Sequence, residues 1–538
     1  MEKWWKEKAV YQIYPRSFLD TNGDGVGDIP GIIQKLDYLK ELGIGTIWLS
    51  PVYKSPNEDN GYDISDYKGI NPEYGTMADM DMLIAEAEKR GIKIVMDLVI
   101  NHTSSQHEWF QKSREKVGEY ADYYIWRQGK DGGLPNNWSS FFGEDAWEYD
   151  DKRGEYYLHL FAKGQPDLNY YNPKVLEEIE GIMKFWLDKG VGGFRCDVIN
   201  VIYKSSLEDG KKSLFLTGSE HYISQEGNHE ILRRLRKDVL SKYDCFAVGE
   251  TTFVTPKMGK DLCDSSRGEL DMIFFFEHMD VDQFMVKWFP RKFRPKKFFE
   301  VISKWQNAME WSANYFENHD QPRSISRFAD DGAYHDESSK MLCTLLLTLR
   351  GTPFIYEGQE IGMTNYPFRG LDEVQDIEAH NIMALAKRLH IPKWYRQKML
   401  DRACRDNGRT PMQWTAGKNG GFTDGKPWLV VNPNCSKINV EAQLGDGKSV
   451  FSYYKNMLGL RGGSNVLKYG SFAPVKMTKK LFIYKREYEG KELIILLNFA
   501  GKSIKQEYSG KVLISNYENS EQNILRPYEA IVLKGAVE

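Results

Sequence analysis

Eight short apolar runs rich in β-forming residues recur between residues 10 and 357, and longer amphipathic stretches separate them. This alternation is typical of strand and helix units that build one parallel sheet, and eight such units predict a TIM (β/α)8 barrel of the α/β class. Helical patterns include residues 31–42 and 80–90, the second ending before Gly91. The predicted strands are residues 10–14, 46–49, 92–98, 193–197, 246–250, 272–276, 314–318 and 353–357.

Two segments depart from the repeating pattern. The gap between the third and fourth runs is too long for a single helix, and residues 102–170 within it are rich in Trp, Tyr, Gly and Asn, which predicts an inserted subdomain. From residue 462 to residue 538 short alternating strands are separated by turns, which predicts a C-terminal antiparallel β-sandwich domain. The barrel would then comprise residues 1–101 and 171–461.

The composition narrows the class of partner. A net charge of -4, with no long block of Lys and Arg, excludes nucleic acid and favours a neutral small molecule. Aromatic residues make up 13% of the chain, and such rings suit sugar faces as well as protein cores. Residues 1–8 are too charged for a signal peptide, and no stretch is long enough for a membrane span. We therefore expect a soluble, cytoplasmic protein, either a monomer or a weak oligomer, with its six scattered cysteines as free thiols.

Polar residues follow four of the predicted strands, at the ends where TIM-barrel enzymes carry their reactive groups. Any one of these carboxylates could merely cap the next helix, but four such strand ends together predict an active site. They are Asp97 with Asn101-His102, Arg195 with Asp197, Glu250, and Asn318-His319-Asp320.

Two of these carboxyl groups suit glycoside hydrolysis, which needs one ionised carboxylate and one carboxylic acid. Strand alternation places Arg195 and Asp197 on one face, so the guanidinium is expected to hold Asp197 ionised, as a nucleophile requires. Glu250 ends an apolar run beside another carboxylate, which is expected to raise its pKa and suit a general acid.

Several motifs resemble those of glycoside hydrolase family 13, the α-amylase superfamily. The four signature regions of that family are matched in order by residues 97–102, 193–197, 249–250 and 318–320. Within the family, the oligo-1,6-glucosidase and α-glucosidase group is resembled by residues 11–18, 165–169 and 409–414. The similarity extends over almost the whole chain and implies the barrel, the insertion and the C-terminal domain.

The resemblance also implies roles. Asp197 would form a covalent glycosyl-enzyme, Glu250 would act as acid and then base, and Asp320 would stabilise the transition state. Together these roles describe a retaining enzyme that removes glucose from the non-reducing end of short oligosaccharides, with transglycosylation as a side reaction. Residues implied in substrate binding are Asp59, Tyr62, His102, Arg195, Val198, His319 and Arg405.

Val198 bears on which bond is cleaved, because Val after the nucleophile resembles the members that act on α-1,6 bonds such as that of isomaltose. A β-branched residue also suits a strand at that point, so both interpretations stay open. The alternatives are an α-glucosidase with α-1,4 or sucrose preference, or a sucrose- or trehalose-converting transglycosidase. Residues 276–280 lack the Arg-Leu-Asp-Arg-Asp run of sucrose isomerases, which favours hydrolysis. A non-catalytic relative is a remote alternative, since this chain keeps all three carboxylates.

Residues 20–28 space oxygen ligands at alternate positions with Gly at the sixth, as in a calcium loop, although the twelfth position is Gly31 instead of Glu. An Asx-turn-rich loop without metal would have the same composition. The resemblance implies a structural Ca²⁺ and no organic cofactor. The implied ligands are the side chains of Asp20, Asn22, Asp24 and Asp28 and the carbonyl of Val26.

Overall fold

The computed structural model describes residues 3–213, 216–519 and 523–537, so the outermost residues of the first and last predicted domains (1, 2 and 538) lie outside the described residues. Contacts within the chain divide it into two compact units. The terminal unit comprises Met1–Ile47, Glu86–Ile92 and Phe276–Glu538, and the central unit comprises Trp48–Ala85 and Lys93–Phe275.

All eight predicted barrel strands are present. They are Val10–Ile13 (β1), Thr46–Leu49 (β2), Lys93–Leu98 (β3), Gly193–Cys196 (β4), Phe246–Glu250 (β5), Met272–Phe274 (β6), Ala313–Asn314 (β7) and Thr352–Tyr356 (β8). Their order in the parallel sheet is β6-β5-β4-β3-β2-β1-β8-β7, so neighbours in the sheet follow chain order, as in a TIM barrel. The predicted fold class is confirmed. The seventh strand is shorter than predicted, and Asn318 therefore lies in the loop after it.

Strand register within the central unit aligns the polar strand ends. On β4, Arg195 pairs with Asp97 of β3 on one side and with Val248 of β5 on the other. Side chains on one face of a strand repeat every second residue, so Glu250 lies on the same face as Val248. The register thus places Asp97, Arg195 and Glu250 on three neighbouring strands.

The helices follow the expected sequence signals. Asn172 caps the helix Pro173–Asp188 by accepting the N–H of Lys174, and Pro173 is its first residue. The predicted helix 80–90 is Met77–Lys89, followed by Gly91 in a left-handed conformation (φ 72°). The predicted helix 31–42 is divided at Lys35 into two helices. The helices are Pro15–Phe18, Ile29–Gln34, Leu36–Leu42, Met77–Lys89, Glu108–Arg114, Pro173–Asp188, Glu226–Asp238, Pro256–Cys263, Pro295–Ala308, Ser324–Phe328, His335–Thr348, Ile377–Arg388, Lys393–Ala403, Asp406–Arg409, Val440–Leu444, Val450–Gly462 and Asn465–Tyr469.

The predicted insertion contains its own small sheet and core. Its antiparallel strands are Trp126–Arg127, Trp147–Asp150 and Glu155–Leu158, with the last in the middle. Trp138, Trp147 and Leu160 form a buried cluster to which Val198 and Tyr222, from outside the predicted boundaries, contribute. The boundaries 102–170 stay a prediction.

The predicted C-terminal antiparallel β domain is confirmed, but the strands begin at Ser471 because residues 465–469 form a helix, and the boundaries 462–538 stay a prediction. Its five main strands are Ser471–Met477 (β9), Leu481–Tyr488 (β10), Lys491–Asn498 (β11), Tyr508–Ser515 (β12) and Ala530–Val537 (β13), in the order β9-β10-β11-β13-β12. A second, two-stranded sheet joins Ile504–Lys505 to Ile524–Leu525. Apolar residues at alternate positions of these strands, such as Leu481, Ile483 and Ile494, form the buried core of the C-terminal domain.

Across the described ranges, no helix is long and apolar enough to cross a membrane.

Candidate active site

A buried guanidinium joins three carboxyl groups of the central unit. Arg195 is 2% exposed; its Nη1 donates to Asp97 Oδ1 and to Asp197 Oδ1, at 2.6 Å each, and its Nη2 donates to Glu250 Oε2. We call these four residues the Arg195 cluster. The predicted contact between Arg195 and Asp197 is confirmed, and the same side chain also fixes Glu250.

Within the Arg195 cluster one cation faces three carboxyl groups, and this ratio of charges affects the pKa of Asp197. Burial raises the pKa of Asp197 well above its ordinary value; Arg195 opposes the rise, and Glu250 and Asp97 add to it. Desolvation and two like charges thus outweigh one guanidinium, so the pKa of Asp197 shifts in the direction opposite to the one expected from Arg195 alone.

Asp97 anchors the Arg195 cluster. Its Oδ2 accepts hydrogen bonds from Trp48 Nε1 at 3.1 Å and from the Tyr62 hydroxyl at 3.2 Å. The rings of Trp48 and Tyr62 also lie 5.1 and 5.6 Å from the Arg195 guanidinium. The sequence places Asp97 at a strand end without assigning it a role; the signal available was the match of residues 97–102 to a signature region of the family.

Three of the predicted binding residues meet at one amide. Gln165 Nε2 donates to Asp59 Oδ2 at 3.1 Å, to the Tyr62 carbonyl at 3.2 Å, and lies 3.1 Å from His102 Nε2. Burial lowers the pKa of His102 to about 4, so this imidazole is neutral at physiological pH. Gln165 belongs to the motif 165–169, which carries part of the family resemblance but to which the sequence analysis assigned no role.

A buried lysine, for which the sequence carried no signal, joins the insertion to the end of β3. Lys204 Nζ lies 2.6 Å from Asp167 Oδ2 and donates to Asn101 Oδ1 at 2.8 Å. Lys204 and Asp167 are both buried, so removing either partner would leave an uncompensated charge. The pair therefore fixes the residues that flank His102 and Gln165.

Val198 has a strained backbone. Its φ is +35°, a left-handed conformation that β-branched residues rarely adopt, and β4 has already ended at Cys196. The interpretation of Val198 as a strand residue is therefore wrong. Its N–H lies 3.4 Å from Glu250 Oε2, while its side chain packs in the core of the insertion. Val198 thus connects the general-acid candidate to the inserted subdomain.

A second cluster lies in the terminal unit and surrounds one carboxylate. Asp320 Oδ1 accepts hydrogen bonds from Arg409 Nη2 at 2.7 Å and Arg405 Nη1 at 3.3 Å, and its Oδ2 lies 3.1 Å from His319 Nε2. We call these residues the Asp320 cluster. Burial alone would raise the pKa of Asp320, but His319, Arg405 and Arg409 outweigh it and hold the pKa well below the usual range.

Two neighbours that sequence reasoning missed orient the Asp320 cluster. Asp376 Oδ1 accepts from Arg405 Nε at 3.0 Å and from Nη2 at 2.7 Å. The amide nitrogen of Gln12 lies 2.8 Å from His319 Nδ1, which leaves the imidazole proton on Nε2, facing Asp320. Arg409 is the first residue of the motif 409–414, which resembles the oligo-1,6-glucosidase and α-glucosidase group, whereas nothing in the sequence indicated Asp376.

The predicted calcium loop forms a network of turns in the terminal unit. Asp20 Oδ1 accepts the N–H groups of residues 22 and 23, Asn22 Oδ1 accepts that of Asp24, and Asp24 Oδ1 accepts that of Val26. Asp28 caps the helix Ile29–Gln34 through the N–H of Gly31 at 2.7 Å. The donor set is all oxygen, as Ca²⁺ prefers, and the same bonds serve an Asx-turn loop, so the two interpretations stay open.

The structure therefore assembles the predicted residues in two groups within two units. The central unit brings together Asp59, Tyr62, His102, Arg195, Asp197, Val198 and Glu250. The terminal unit brings together His319, Asp320 and Arg405. Comparison with known proteins supplies the context for both groups. Residues 12–470 match the family description "Alpha amylase, catalytic domain".

The chain belongs to the α-amylase family. It is 51% identical to the oligo-1,6-glucosidase of Parageobacillus thermoglucosidasius, with 99% of each chain covered. It is 42% identical to the trehalose-6-phosphate hydrolase of Bacillus subtilis, covering 99% of this chain and 98% of that one. Among solved structures, the trehalulose synthase of Pseudomonas mesoacidophila is similar with a TM-score of 0.95, at 40% identity and with 99% of each chain covered. The predictions of this family and of a glycoside hydrolase are confirmed.

Proposed function

We propose that this α-amylase family member hydrolyses α-1,6-glucosidic bonds of short oligosaccharides such as isomaltose, releasing glucose from the non-reducing end with retention of configuration. The observation that carries the proposal is that Arg195 binds Asp197 and Glu250 at once. Two carboxyl groups on one guanidinium lie close together, which fits the separation of about 5 to 5.5 Å in retaining enzymes better than the wider gap of inverting ones.

The proposed reaction has two steps. First, Asp197 attacks the anomeric carbon while Glu250 gives its proton to the glycosidic oxygen, so that bond breaks and a glycosyl ester of Asp197 forms. Glu250 then takes a proton from water, whose oxygen attacks the same carbon and releases glucose. Each cycle restores both carboxyl groups. Arg195 remains bound to both and balances the negative charge as it moves between them.

We propose that the remaining predicted residues hold the glucose unit. Asp320 would accept sugar hydroxyls and stabilise positive charge at the anomeric carbon, which suits a carboxylate kept ionised by its neighbours. His102, neutral after burial, would serve as a hydrogen-bonding group and not as a base. Tyr62 and His319 would contact the same glucose residue of the substrate. Asp59 and Arg405 would bind the hydroxyl groups of that glucose far from the cleaved bond and so exclude longer chains, which would make the enzyme exo-acting.

The α-1,6 preference rests on two supports. The relative named oligo-1,6-glucosidase shares 51% identity with this chain, against 42% for the one named trehalose-6-phosphate hydrolase. The second support is Val198, because its backbone N–H faces Glu250, the proposed general acid. Trehalose-6-phosphate hydrolysis remains a second candidate, favoured by the 42% identity to the trehalose-6-phosphate hydrolase. Sucrose conversion is another, favoured by the structural similarity to the trehalulose synthase, which has been solved with the substrate sucrose.

Initial rates on isomaltose, maltose, sucrose and trehalose 6-phosphate, measured side by side, test the linkage preference. We expect isomaltose to be cleaved fastest, with the α-anomer of glucose as the first product in NMR spectra. Cleavage of maltose at an equal or higher rate would overturn the α-1,6 proposal, and an initial β-anomer would overturn the covalent step.

A substitution tests the part played by Val198. We expect Val198→Thr, which keeps the shape but replaces a buried methyl group by a hydroxyl, to change the ratio of isomaltose to maltose cleavage several-fold. Val201→Thr is the matched control, because Val201 is buried in the same cluster. Equal ratios in both variants would remove Val198 from the determinants of linkage.

We also propose that the loop of residues 20–28 binds a structural Ca²⁺, held by the side chains of Asp20, Asn22, Asp24 and Asp28 and the carbonyl of Val26. The support is the all-oxygen donor set at calcium-loop spacing. A ligand present at about 100 times its Kd stabilises the native state by about 2.7 kcal/mol. We therefore expect about one bound calcium per chain by elemental analysis, and a melting temperature that falls by several degrees in EGTA. An unchanged melting temperature and no bound calcium would favour the metal-free turn loop.

We further propose that the protein acts in the cytoplasm as a monomer or a weak oligomer. No disulfide forms among the six cysteines, all of which lie in the described part of the chain, and this fits a reducing compartment. Cell fractionation and size-exclusion chromatography with light scattering test the two statements separately.

A further inference from the structure

The central unit contains a cavity of about 720 Å³ that the proposed reaction does not use. Its walls come from the insertion, from the start of the helix Pro173–Asp188 and from residues 204–207. Among the described residues that line it, none belongs to the Arg195 cluster. Its volume lies within the range of about 300 to 1,000 Å³ that is common for small-molecule sites.

One wall of this cavity is an exposed aromatic ring held in a fixed orientation. Tyr171 is 60% exposed, yet its hydroxyl donates to the Lys204 carbonyl at 2.8 Å, and its ring lies 5.2 Å from that of Tyr203. A ring anchored at its polar end loses little conformational freedom when a ligand stacks on its apolar face. Sugar rings present such faces through their axial C–H groups, so Tyr171 is suited to stack against one.

Planar polar groups line the same cavity. The Arg127 guanidinium donates to the Trp126 carbonyl at 2.9 Å, and the described chain offers its other N–H groups no acceptor. Asn172 uses its oxygen to cap a helix, so its amide nitrogen is available to a ligand. The side chain of Asp122 is 77% exposed and can accept hydrogen bonds. Flat donors and acceptors of this kind suit pairs of neighbouring hydroxyl groups.

The charges around the cavity argue for a neutral ligand. Arg153 binds the carbonyls of Ser113 and Ala121 and the carboxylate of Glu155, and Lys204 is occupied by Asp167 and Asn101. Two of the three cations that line the cavity are thus satisfied within the protein, and Arg153 also lies 3.8 Å from Asp122 Oδ1. Asp122 and Glu155 are the partners of Arg153, so among the described lining residues Arg127 is the cation that an anion such as phosphate would meet. One cation does not balance the charge of phosphate, so the cavity favours a neutral ligand.

We propose that this cavity is a second, non-catalytic binding site for a short neutral gluco-oligosaccharide, with the Tyr171 ring as its platform. The choice of glucose units rests on the proposed function, whereas the preference for a neutral sugar over an anion rests on the cavity itself. Such a site holds a sugar chain on the enzyme independently of turnover.

Isomaltotriose binding to the full-length Glu250→Gln variant, with the active site saturated by the iminosugar 1-deoxynojirimycin, tests the proposal. We expect saturation-transfer NMR and calorimetry to show a remaining weak site. Tyr171→Ala in that background should weaken this binding at least tenfold, and Arg127→Ala several-fold. Tyr149→Ala is the matched control, since Tyr149 is 48% exposed and lies outside the cavity lining.

No remaining binding, equal binding in the Tyr171→Ala and Tyr149→Ala variants, or competition by inorganic phosphate would each overturn the proposal. In the otherwise unmodified enzyme, Tyr171→Ala should leave kcat/KM for isomaltose unchanged. Failure of the proposed function appears separately, as an absence of isomaltose hydrolysis by the unmodified chain.

Discussion

The Arg195 cluster and the Asp320 cluster use the same kinds of group in opposite ratios. In the first, one guanidinium faces three carboxyl groups, and burial together with two like charges raises the pKa of Asp197. In the second, one carboxylate faces two guanidinium groups and an imidazole, which hold the pKa of Asp320 well below its usual value despite burial. Desolvation acts to raise the pKa of both carboxyl groups, although the Asp320 side chain is 31% exposed, so the ratio of charges decides the direction of the shift.

The difference corresponds to two kinds of chemical task. A cluster with too few cations raises the pKa of a buried carboxyl group, as at Asp197, and so favours the protonated form of that group. A cluster with an excess of cations keeps its carboxylate ionised at all working pH values, which suits stabilisation of positive charge in a transition state. Three substitutions test this comparison, in order of decreasing expected effect.

Asp197→Ala removes the proposed nucleophile and should reduce kcat by about 10⁴-fold or more while the fold is retained, because no core packing is lost. Added azide should restore part of the turnover by taking the place of the carboxylate. Circular dichroism and steady-state kinetics measure both effects, and Asp209→Ala, at an exposed carboxylate, is the control. Activity within tenfold of the unmodified enzyme would contradict the assignment.

Asp320→Asn keeps the shape of the side chain but removes the permanent charge of the second cluster. We expect kcat to fall by about 10² to 10³-fold, the size of effect seen when one transition-state-stabilising group is lost. The pH at which activity falls on the acidic side of the pH–activity profile (the acidic limb) should stay unchanged, because Asp320 is ionised throughout the working range. A shift of that limb, with little change in kcat, would instead place Asp320 among the titrating groups.

Asp97→Asn removes one of the like charges that raise the pKa of Asp197. The nucleophile must be ionised, so activity is present above its pKa and is lost as the pH falls through it. A lower pKa therefore moves the acidic limb of kcat/KM to lower pH, with a smaller change in the maximum than either preceding variant shows. Asp271→Asn, at a buried carboxylate bound to Arg236, is the control and should leave the limb in place. An upward shift would contradict the charge-counting account.

Much of the fold and most of the site could be predicted from local patterns. The eight apolar runs gave the strands because β-forming residues and helical periodicity are properties of neighbouring residues. Motifs at the strand ends, together with the family resemblance that they carry, predict Asp197, Glu250 and Asp320 as the catalytic residues, and their roles stay a prediction. The seventh strand was predicted too long, and the predicted helix 31–42 is divided into two helices. Strand and helix ends depend on tertiary packing, which a short stretch of sequence does not contain.

The sequence by itself determined which chemical groups stand at the strand ends and in which order. Only the tertiary structure decided how many carboxyl groups share Arg195, that Gln165 and Lys204 fix the wall around His102, and that Val198 takes a left-handed conformation. The physical reason is that a pKa depends on burial and on charges across space. Asp97, Asp197 and Glu250 come from three separate parts of the chain, and their mutual repulsion exists only once β3, β4 and β5 lie side by side.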